Sequence, residues 1–426
     1  MQKVINKDFK TLNGEITIPA DKSMSHRAII FSSLAKGKSI IKNFSDGQDP
    51  HSTLNIFKHL GVDISQDENK IIINSSGKLS APIQDLDCGN SGTTMRLLAG
   101  LLAGQNFNST LVGDKSLSKR PMKRIIEPLT LMGANIDSDE YKAPLIINGK
   151  PLQPINYVSK IASAQVKSCI LLAGLGIENN DITSVTEPYV SRNHTEILLK
   201  YMGANIEIKN TTVSISKSEL KPIEIDIFGD ISSAAYFIVA ALIIPNSKII
   251  LKNVGLNPTR TGILDVAKSM GGNIKILDKR EICGESVGDI QIEYSELNGC
   301  NISGEIIPRL IDEIPIIAVL ATQAKGITKI SDAQDLRNKE SDRITAVVTE
   351  LKKLGANIDE TPDGMIINGK TQLTGECEVE TYHDHRLAMS LYVAGLITQK
   401  PIIINGFEWV DISFPNFEQL FNELKQ

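Results

Sequence analysis

MGANI occupies residues 202–206, and near-copies of it recur as LGVDI (60–64), MGANI (132–136), MGGNI (270–274) and LGANI (354–358). The copies stand roughly 70 residues apart, the signature of a repeated supersecondary unit. What precedes each copy gives the local structure. In ESDRITAVVTELKKLG (340–355) apolar residues fall at helical spacing and two lysines in the last turn suit the helix dipole, while Gly355 is free to take a left-handed stop. DPHSTLNIFKHLG (49–61), RPMKRIIEPLTLMG (120–133), SRNHTEILLKYMG (191–203) and TRTGILDVAKSMGG (259–272) share the layout, and FPNFEQLFNELKQ (414–426) is a sixth helix of this kind.

Six helices of another kind interleave with these, beginning near Lys22, Ser91, Ala162, Asp230, Asp312 and Asp384. They are apolar almost all round, as in SGTTMRLLAGLLAG (91–104) and ISSAAYFIVAALIIP (231–245), and a helix without a polar face belongs inside a domain. β-branched runs such as KIIIN (70–74), PLIIN (144–148) and GMIIN (364–368) lie between them. The unit is strand, buried helix, strand, surface helix and one or two strands. An open solenoid is the competing architecture, but all-round apolar helices need a closed core. The expectation is an α/β chain of two domains, each with three units about a common axis, and 426 residues exceed the usual single-core size.

Composition narrows the function. Lys and Arg total 45 against 50 Asp and Glu, a formal net charge of −5, which argues against a broad electrostatic grip on nucleic acid. Any anionic ligand must be held by local cations. The five cysteines (Cys88, Cys169, Cys283, Cys300, Cys377) have no CxxC pair or metal-ligand spacing, which suits a reducing compartment. MQKVINKDFK lacks an apolar signal core, and the apolar stretch from Tyr236 to Pro245 is about half a membrane span. A cytoplasmic protein without membrane partners is expected.

Chemistry enters where the repeats differ. DKSMSHR (21–27) puts Lys22 and Ser23 at the start of the first buried helix and Arg27 one turn inward; backbone N–H groups, a hydroxyl and cations there make an anion site, although a plain capped helix start is the alternative. GNSGTTMR (89–96) follows, with Gly92 allowing close approach and Arg96 one turn on, and it is not a Walker loop because the lysine is missing. SAQVKS (163–168) offers Ser163, Gln165 and Lys167. In RLIDEIPII (309–317) Asp312 and Glu313 head an apolar helix, where capping alone would favour carboxylates. NKESDR (338–343) supplies Lys339, Glu340 and Arg343, and YHDHR (382–386) supplies Arg386. His383 and His385 lack a third ligand nearby, so no metal is expected.

DKSMSHR, GNSGTTMR, KRPMKR (119–124), SAQVKS, LIDEIP, NKESDR and YHDHR stand in the order and spacing of the 5-enolpyruvylshikimate-3-phosphate synthase family, which the chain resembles from residue 10 onward. The resemblance implies two domains, each of three βαβαββ units around a pseudo-threefold axis with buried parallel helices, an inside-out α/β barrel. Residues 1–18 with 229–426 would form one discontinuous domain and 19–228 the other, with the active site in the cleft between them. The family transfers the enolpyruvyl group of phosphoenolpyruvate to the 5-hydroxyl of shikimate 3-phosphate and releases phosphate, on the route to chorismate and aromatic amino acids. It needs no cofactor, and a monomer with small-molecule substrates is expected.

By the same resemblance, shikimate 3-phosphate falls to Lys22, Ser23, Arg27, Ser163, Gln165, Asp312 and Lys339, with Tyr189, Arg192 and the Ala164 backbone as further candidates. Phosphoenolpyruvate falls to Lys22, Gly92, Arg120, Gln165, Arg343 and Arg386, with Arg96 beside them. Glu340 is the expected proton donor, Asp312 the base and Lys22 the phosphate-stabilising cation. Two phosphomonoesters and two carboxylates bring about five to six negative charges, which the seven cations Lys22, Arg27, Arg96, Arg120, Lys339, Arg343 and Arg386 suffice to meet. Ile412 departs from a lysine found in some relatives. Gly92 implies glyphosate sensitivity, although Leu97 replaces a proline common in the family. Three other readings compete. UDP-N-acetylglucosamine 1-carboxyvinyltransferase usually carries a reactive cysteine that DKSLSKRPMKR (114–124) lacks, RNA 3′-phosphate cyclase needs histidine chemistry with ATP, and a non-enzymatic repeat scaffold would not need so many cations at buried helix ends.

Overall fold

The computed structural model describes residues 1–6, 8–67, 70–178 and 181–426. The chain splits into two compact units. Met1–Pro19, Phe228–Arg280 and Ser286–Gln426 form a discontinuous unit, and Ala20–Ile227 with Glu281–Glu285 form an inserted one. Residues 281–285 join the inserted unit without any sign of it in the hydrophobic periodicity.

The inserted unit contains helices α1 (Lys22–Leu34), α2 (Gln48–His59), α3 (Gly92–Ala103), α4 (Lys123–Leu131), α5 (Ala164–Leu175) and α6 (His194–Tyr201). The discontinuous unit contains α7 (Ile231–Ile243), α8 (Gly262–Ser269), the single turn α9 (Ile307–Leu310), α10 (Ile314–Thr322), α11 (Arg343–Lys353), α12 (His385–Gly395) and α13 (Phe417–Leu424). Helices α1, α3, α5, α7, α10 and α12 are buried along nearly their whole length, as their all-round apolar sequences require. In the discontinuous unit α7, α10 and α12 each touch the other two, a closed core in place of a solenoid stack. In the inserted unit α3 packs so tightly on α5 that a Cβ on Gly100 would lie 2.1 Å from the Cys169 carbonyl oxygen.

Among the described residues each unit contributes three sheets. In the inserted unit all three are four-stranded, and each has one parallel pair followed by two antiparallel pairings; Asn156–Val158, Thr183–Thr186, Thr212–Ile215 and Ile206–Lys209 form one of them. Alternating burial along Lys70–Ser75, with Ile71 and Ile73 inward, shows one face of such a sheet on the helices. The glycines of the repeated pentapeptide, Gly61, Gly133, Gly203, Gly271 and Gly355, all take positive φ between +83° and +98°, so each surface helix stops on a left-handed residue and turns into a strand.

The repeats are not laid end to end. Asn13–Thr17 immediately precedes α1 but pairs in parallel with Lys248–Gly255 in the discontinuous unit's sheet. Glu224–Asp226 precedes α7 but pairs in parallel with Gly37–Lys42 in the inserted unit's sheet. The leading strands of the first and fourth repeats are thus exchanged, which makes one unit discontinuous. Among the described residues no helix is long and apolar enough to cross a membrane.

Five of the six core helices carry a side-chain N-cap: Asp21, Ser91, Ser163, Asp230 and Asp384 each accept a backbone N–H. The exception is α10. Asp312 lies in a 3₁₀ turn ahead of it, Glu313 makes no capping bond, and Pro315 within its first turn brings no N–H. The capping role open to Asp312 and Glu313 from sequence is therefore corrected: both acids turn toward arginines.

Candidate active site

In the inserted unit the candidate residues gather at the starts of α1, α3 and α5. Asp21 accepts the Met24 N–H at 2.8 Å, leaving Lys22 and Ser23 on the first turn of α1. Lys22 Nζ lies 3.0 Å from Asp49 Oδ2. Arg27 Nε donates to Thr195 Oγ1 at 2.8 Å, Nη2 to Ser168 Oγ at 3.3 Å and Nη1 to the Ser23 carbonyl at 2.9 Å. His26, in the same motif, turns into the core, where Nδ1 and Thr53 Oγ1 are 2.7 Å apart and burial pushes its pKa down to about 3.

Gly92 is the first residue of α3. A Cβ there would lie 2.7 Å from Arg96 Nη1 and 3.4 Å from Arg120 Nη1, so the missing side chain lets two guanidinium groups approach a helix N-terminus, the makings of an anion site. Arg96 Nη1 donates to Gln165 Oε1 at 2.7 Å, Gln165 Nε2 donates to Thr93 Oγ1 at 3.1 Å, and Arg120 Nη2 donates to Asn90 Oδ1 at 2.6 Å. Four residues expected at one ligand, Gly92, Arg96, Arg120 and Gln165, are therefore together.

Ser163 caps α5, and its own N–H donates to Glu187 Oε1 at 2.8 Å. Ala164 opens the helix. Lys167, the third polar residue of SAQVKS, points away from any ligand role: Nζ sits 2.7 Å from Glu196 Oε1 and 2.9 Å from Glu187 Oε2 in the interior. Burial alone would depress its pKa, but Glu196 and Glu187 outweigh that and raise it. Tyr189 and Arg192 lie in the loop before α6, Tyr189 half-exposed.

The discontinuous unit gathers charges of both signs. Arg343, the first residue of α11 and 1% exposed, contacts three carboxylates: Asp384 (Nε to Oδ2 2.7 Å, Nη2 to Oδ1 3.2 Å), Glu340 (Nη2 to Oε2 2.6 Å) and Asp312 (Nη1 to Oδ1 3.3 Å). Lys339 Nζ is 3.4 Å from Asp312 Oδ1. Arg386 Nη1 donates to the Asp312 carbonyl at 3.3 Å, and Nη2 is 3.9 Å from Asp312 Oδ2. All five predicted residues of this unit, Asp312, Lys339, Glu340, Arg343 and Arg386, thus form one cluster. Burial would raise the Asp384 carboxyl, but the Arg343 guanidinium overrides it and holds it below the ordinary aspartate range. Burial opposes the charge on Arg343 and Arg386 as well, and the acids around them hold both above the usual arginine value. His383 stacks on Trp409, ring centroids 4.7 Å apart, and Ile412 ends the 3₁₀ segment Phe407–Ile412.

Sequence reasoning gave Glu313 only a capping role and passed over Asp384, Thr195, Ser168 and Glu187 as site residues. Asp384 was within reach, since every other core helix with a side-chain cap opens on Asp or Ser at the same place in the repeat. Thr195 and Ser168 have no signal in the chain, because each matters only through Arg27 Nε or Nη2.

The family model for EPSP synthase (3-phosphoshikimate 1-carboxyvinyltransferase) matches residues 7–421. The chain belongs to that family. It is 52% identical over 434 aligned residues to a 3-phosphoshikimate 1-carboxyvinyltransferase from Thermodesulfovibrio yellowstonii, covering 100% of both chains. It is 49% identical over 424 residues to one from Bacillus licheniformis, covering 98% of each. A solved structure of EPSP synthase from Acinetobacter baumannii superimposes with a TM-score of 0.89 at 41% identity, covering 100% of this chain and 98% of that one. The fold class is that of EPSP synthases, two units each of three helix-centred βαβαββ repeats.

Proposed function

We propose that this chain transfers the enolpyruvyl group of phosphoenolpyruvate to the 5-hydroxyl of shikimate 3-phosphate. The observation that carries the reading is the cluster of Asp312, Lys339, Glu340, Arg343 and Arg386, which offers two partly exposed carboxylates in separate places among fixed cations. Family membership over the whole chain agrees with it.

In the proposed chemistry Glu340 protonates the methylene carbon of phosphoenolpyruvate, leaving positive charge at C2. The 5-hydroxyl attacks C2 while Asp312 takes its proton, giving a tetrahedral ketal phosphate. Glu340 then takes a proton back from the new methyl carbon, the bond from C2 to the phosphate oxygen breaks, and phosphate departs with the proton that Asp312 holds, restoring the double bond and the starting state of both acids. Lys22 stabilises charge on that phosphate. The ion pair of Glu340 with Arg343 at 2.6 Å favours a charged carboxylate, and an incoming substrate carboxylate that takes over Arg343 would release Glu340 to hold a proton. Arg343 and Arg386, with Lys22, Gly92, Arg120 and Gln165, are assigned to phosphoenolpyruvate, with Arg96 beside them. Lys22, Ser23, Arg27, Ser163, Gln165, Asp312 and Lys339 are assigned to shikimate 3-phosphate, with Ala164, Tyr189 and Arg192 as supporting positions.

We also propose a monomer acting in the cytoplasm, which light scattering and cell fractionation test. The function itself is tested by phosphate release. Shikimate 3-phosphate with phosphoenolpyruvate releases phosphate, whereas replacing the first by UDP-N-acetylglucosamine gives no turnover, and added ATP is neither required nor consumed. Turnover with UDP-N-acetylglucosamine instead would overturn the reading.

A further inference from the structure

Glu313 is a buried carboxylate that the chemistry above leaves unused. It is 1% exposed and stands at the N-cap position of α10 without capping it. Its Oε1 accepts a hydrogen bond from Ser232 Oγ and lies 3.6 Å from Arg386 Nη1. Ser232 Oγ in turn accepts from Arg260 Nη2 at 2.8 Å, and the same nitrogen donates to Asp230 Oδ1 at 2.8 Å. Arg260 is 2% exposed. A continuous polar chain, Arg260 to Ser232 to Glu313 to Arg386, therefore ties together the starts of α7, α10 and α12, all within the discontinuous unit.

We propose that Glu313 is a positioning residue for Arg386, fixing the guanidinium in the orientation that meets the carboxylate of phosphoenolpyruvate; the inference rests on the assignment of Arg386 made above. The anchoring is one-sided. Glu313 Oε1 at 3.6 Å and the Asp312 carbonyl at 3.3 Å both engage Nη1, whereas the Nη2 contact with Asp312 Oδ2 is longer, at 3.9 Å. Nη1 is the pivot and Nη2 the edge that turns to a ligand. A forked guanidinium contact depends on the plane of the group, so a fixed plane matters more here than added charge. Burying a carboxylate is costly unless it is paired and hydrogen-bonded, and Ser232, itself fixed by Arg260, supplies the hydrogen bond while Arg386 supplies the pair.

The test is steady-state kinetics on the full chain, with the KM of each substrate measured separately. Glu313→Gln keeps an oxygen that accepts from Ser232 but loses the charge that orients Nη1. It is expected to raise the KM for phosphoenolpyruvate roughly tenfold, with the KM for shikimate 3-phosphate within about twofold of the parent. Ser232→Ala shifts the same KM in the same direction by less, and Glu313→Asp, which keeps the charge, recovers part of what Gln loses. A folded Glu313→Gln variant with the parent's KM for phosphoenolpyruvate overturns the proposal, as does an equal rise in both KM values or an Asp variant no better than Gln. Should Glu313→Gln not fold, Ser232→Ala carries the same test. A parent chain without turnover refutes the function proposed above, while an active parent with unaffected variants refutes only this role for Glu313.

Discussion

Arg343 grips Asp384 with two nitrogens, Nε on one carboxylate oxygen at 2.7 Å and Nη2 on the other at 3.2 Å, and neither side chain is more than 1% exposed. Asp384 also caps α12, so one carboxylate sets both a helix start and the guanidinium of a neighbouring helix. Asp384→Asn would leave Arg343 with its strongest partner neutralised in the interior. A loss of about 3–5 kcal/mol is expected, read by urea denaturation at neutral pH, together with a raised KM for phosphoenolpyruvate. Unchanged stability would mean that Glu340 and Asp312 suffice to compensate Arg343.

His26 sets a pH limit. Its folded pKa of about 3, lowered by burial, lies below the ordinary histidine value of 6.5. In that interval the unfolded chain binds a proton that the native chain refuses, so the stability present above pH 6.5 is lost progressively as pH falls toward 3. The contribution is several kcal/mol in order of magnitude. His26→Gln should flatten the pH dependence of the melting temperature between pH 6.5 and 4 relative to the parent. Parallel curves would exclude His26 as the cause.

Glu340→Gln removes the proposed proton donor while keeping a side chain that reaches Arg343. A fall in kcat of about 10²–10⁴ is expected, with shikimate 3-phosphate binding retained in equilibrium titration. Near-parental turnover would require another acid.

Gly92→Ala places a methyl carbon 2.7 Å from Arg96 Nη1. A guanidinium is the flexible end of its side chain and yields, at the expense of its bond to Gln165. The variant should fold, show a higher KM for phosphoenolpyruvate, and lose inhibition by glyphosate that competes with phosphoenolpyruvate in the parent. Equal inhibition of both proteins would separate glyphosate from position 92.

The repeat was legible because its signals are local: a left-handed glycine such as Gly203, an amphipathic face before it, and an apolar helix such as α7 that must be buried. The cations at helix starts were legible for the same reason. The exchange of Asn13–Thr17 with Glu224–Asp226 was not legible in the residues themselves, because a parallel strand pairing over such a distance leaves no mark on either segment, and only the family resemblance implied a discontinuous domain. Glu313 was misread as a cap because its neighbours in sequence say helix start, while its partners Ser232 and Arg386 come from other repeats.

The strand exchange has a consequence for the newborn chain. Residues 20–227 are contiguous and carry the partners of their own sheets, so all of that unit except residues 281–285 can assemble while synthesis continues. The first strands cannot. Gln2–Ile5 pairs with Ile402–Asn405, and Met1 is bound to Glu408 across a sequence separation of 407 residues. The leading segment must wait, unpaired, through most of elongation, and its sequence suits the wait: QKVINKDFKTLNGE has charges and polar residues among its few apolar ones. Such gatekeeping restrains a lone strand from pairing with another ribosome's product before its own partner emerges.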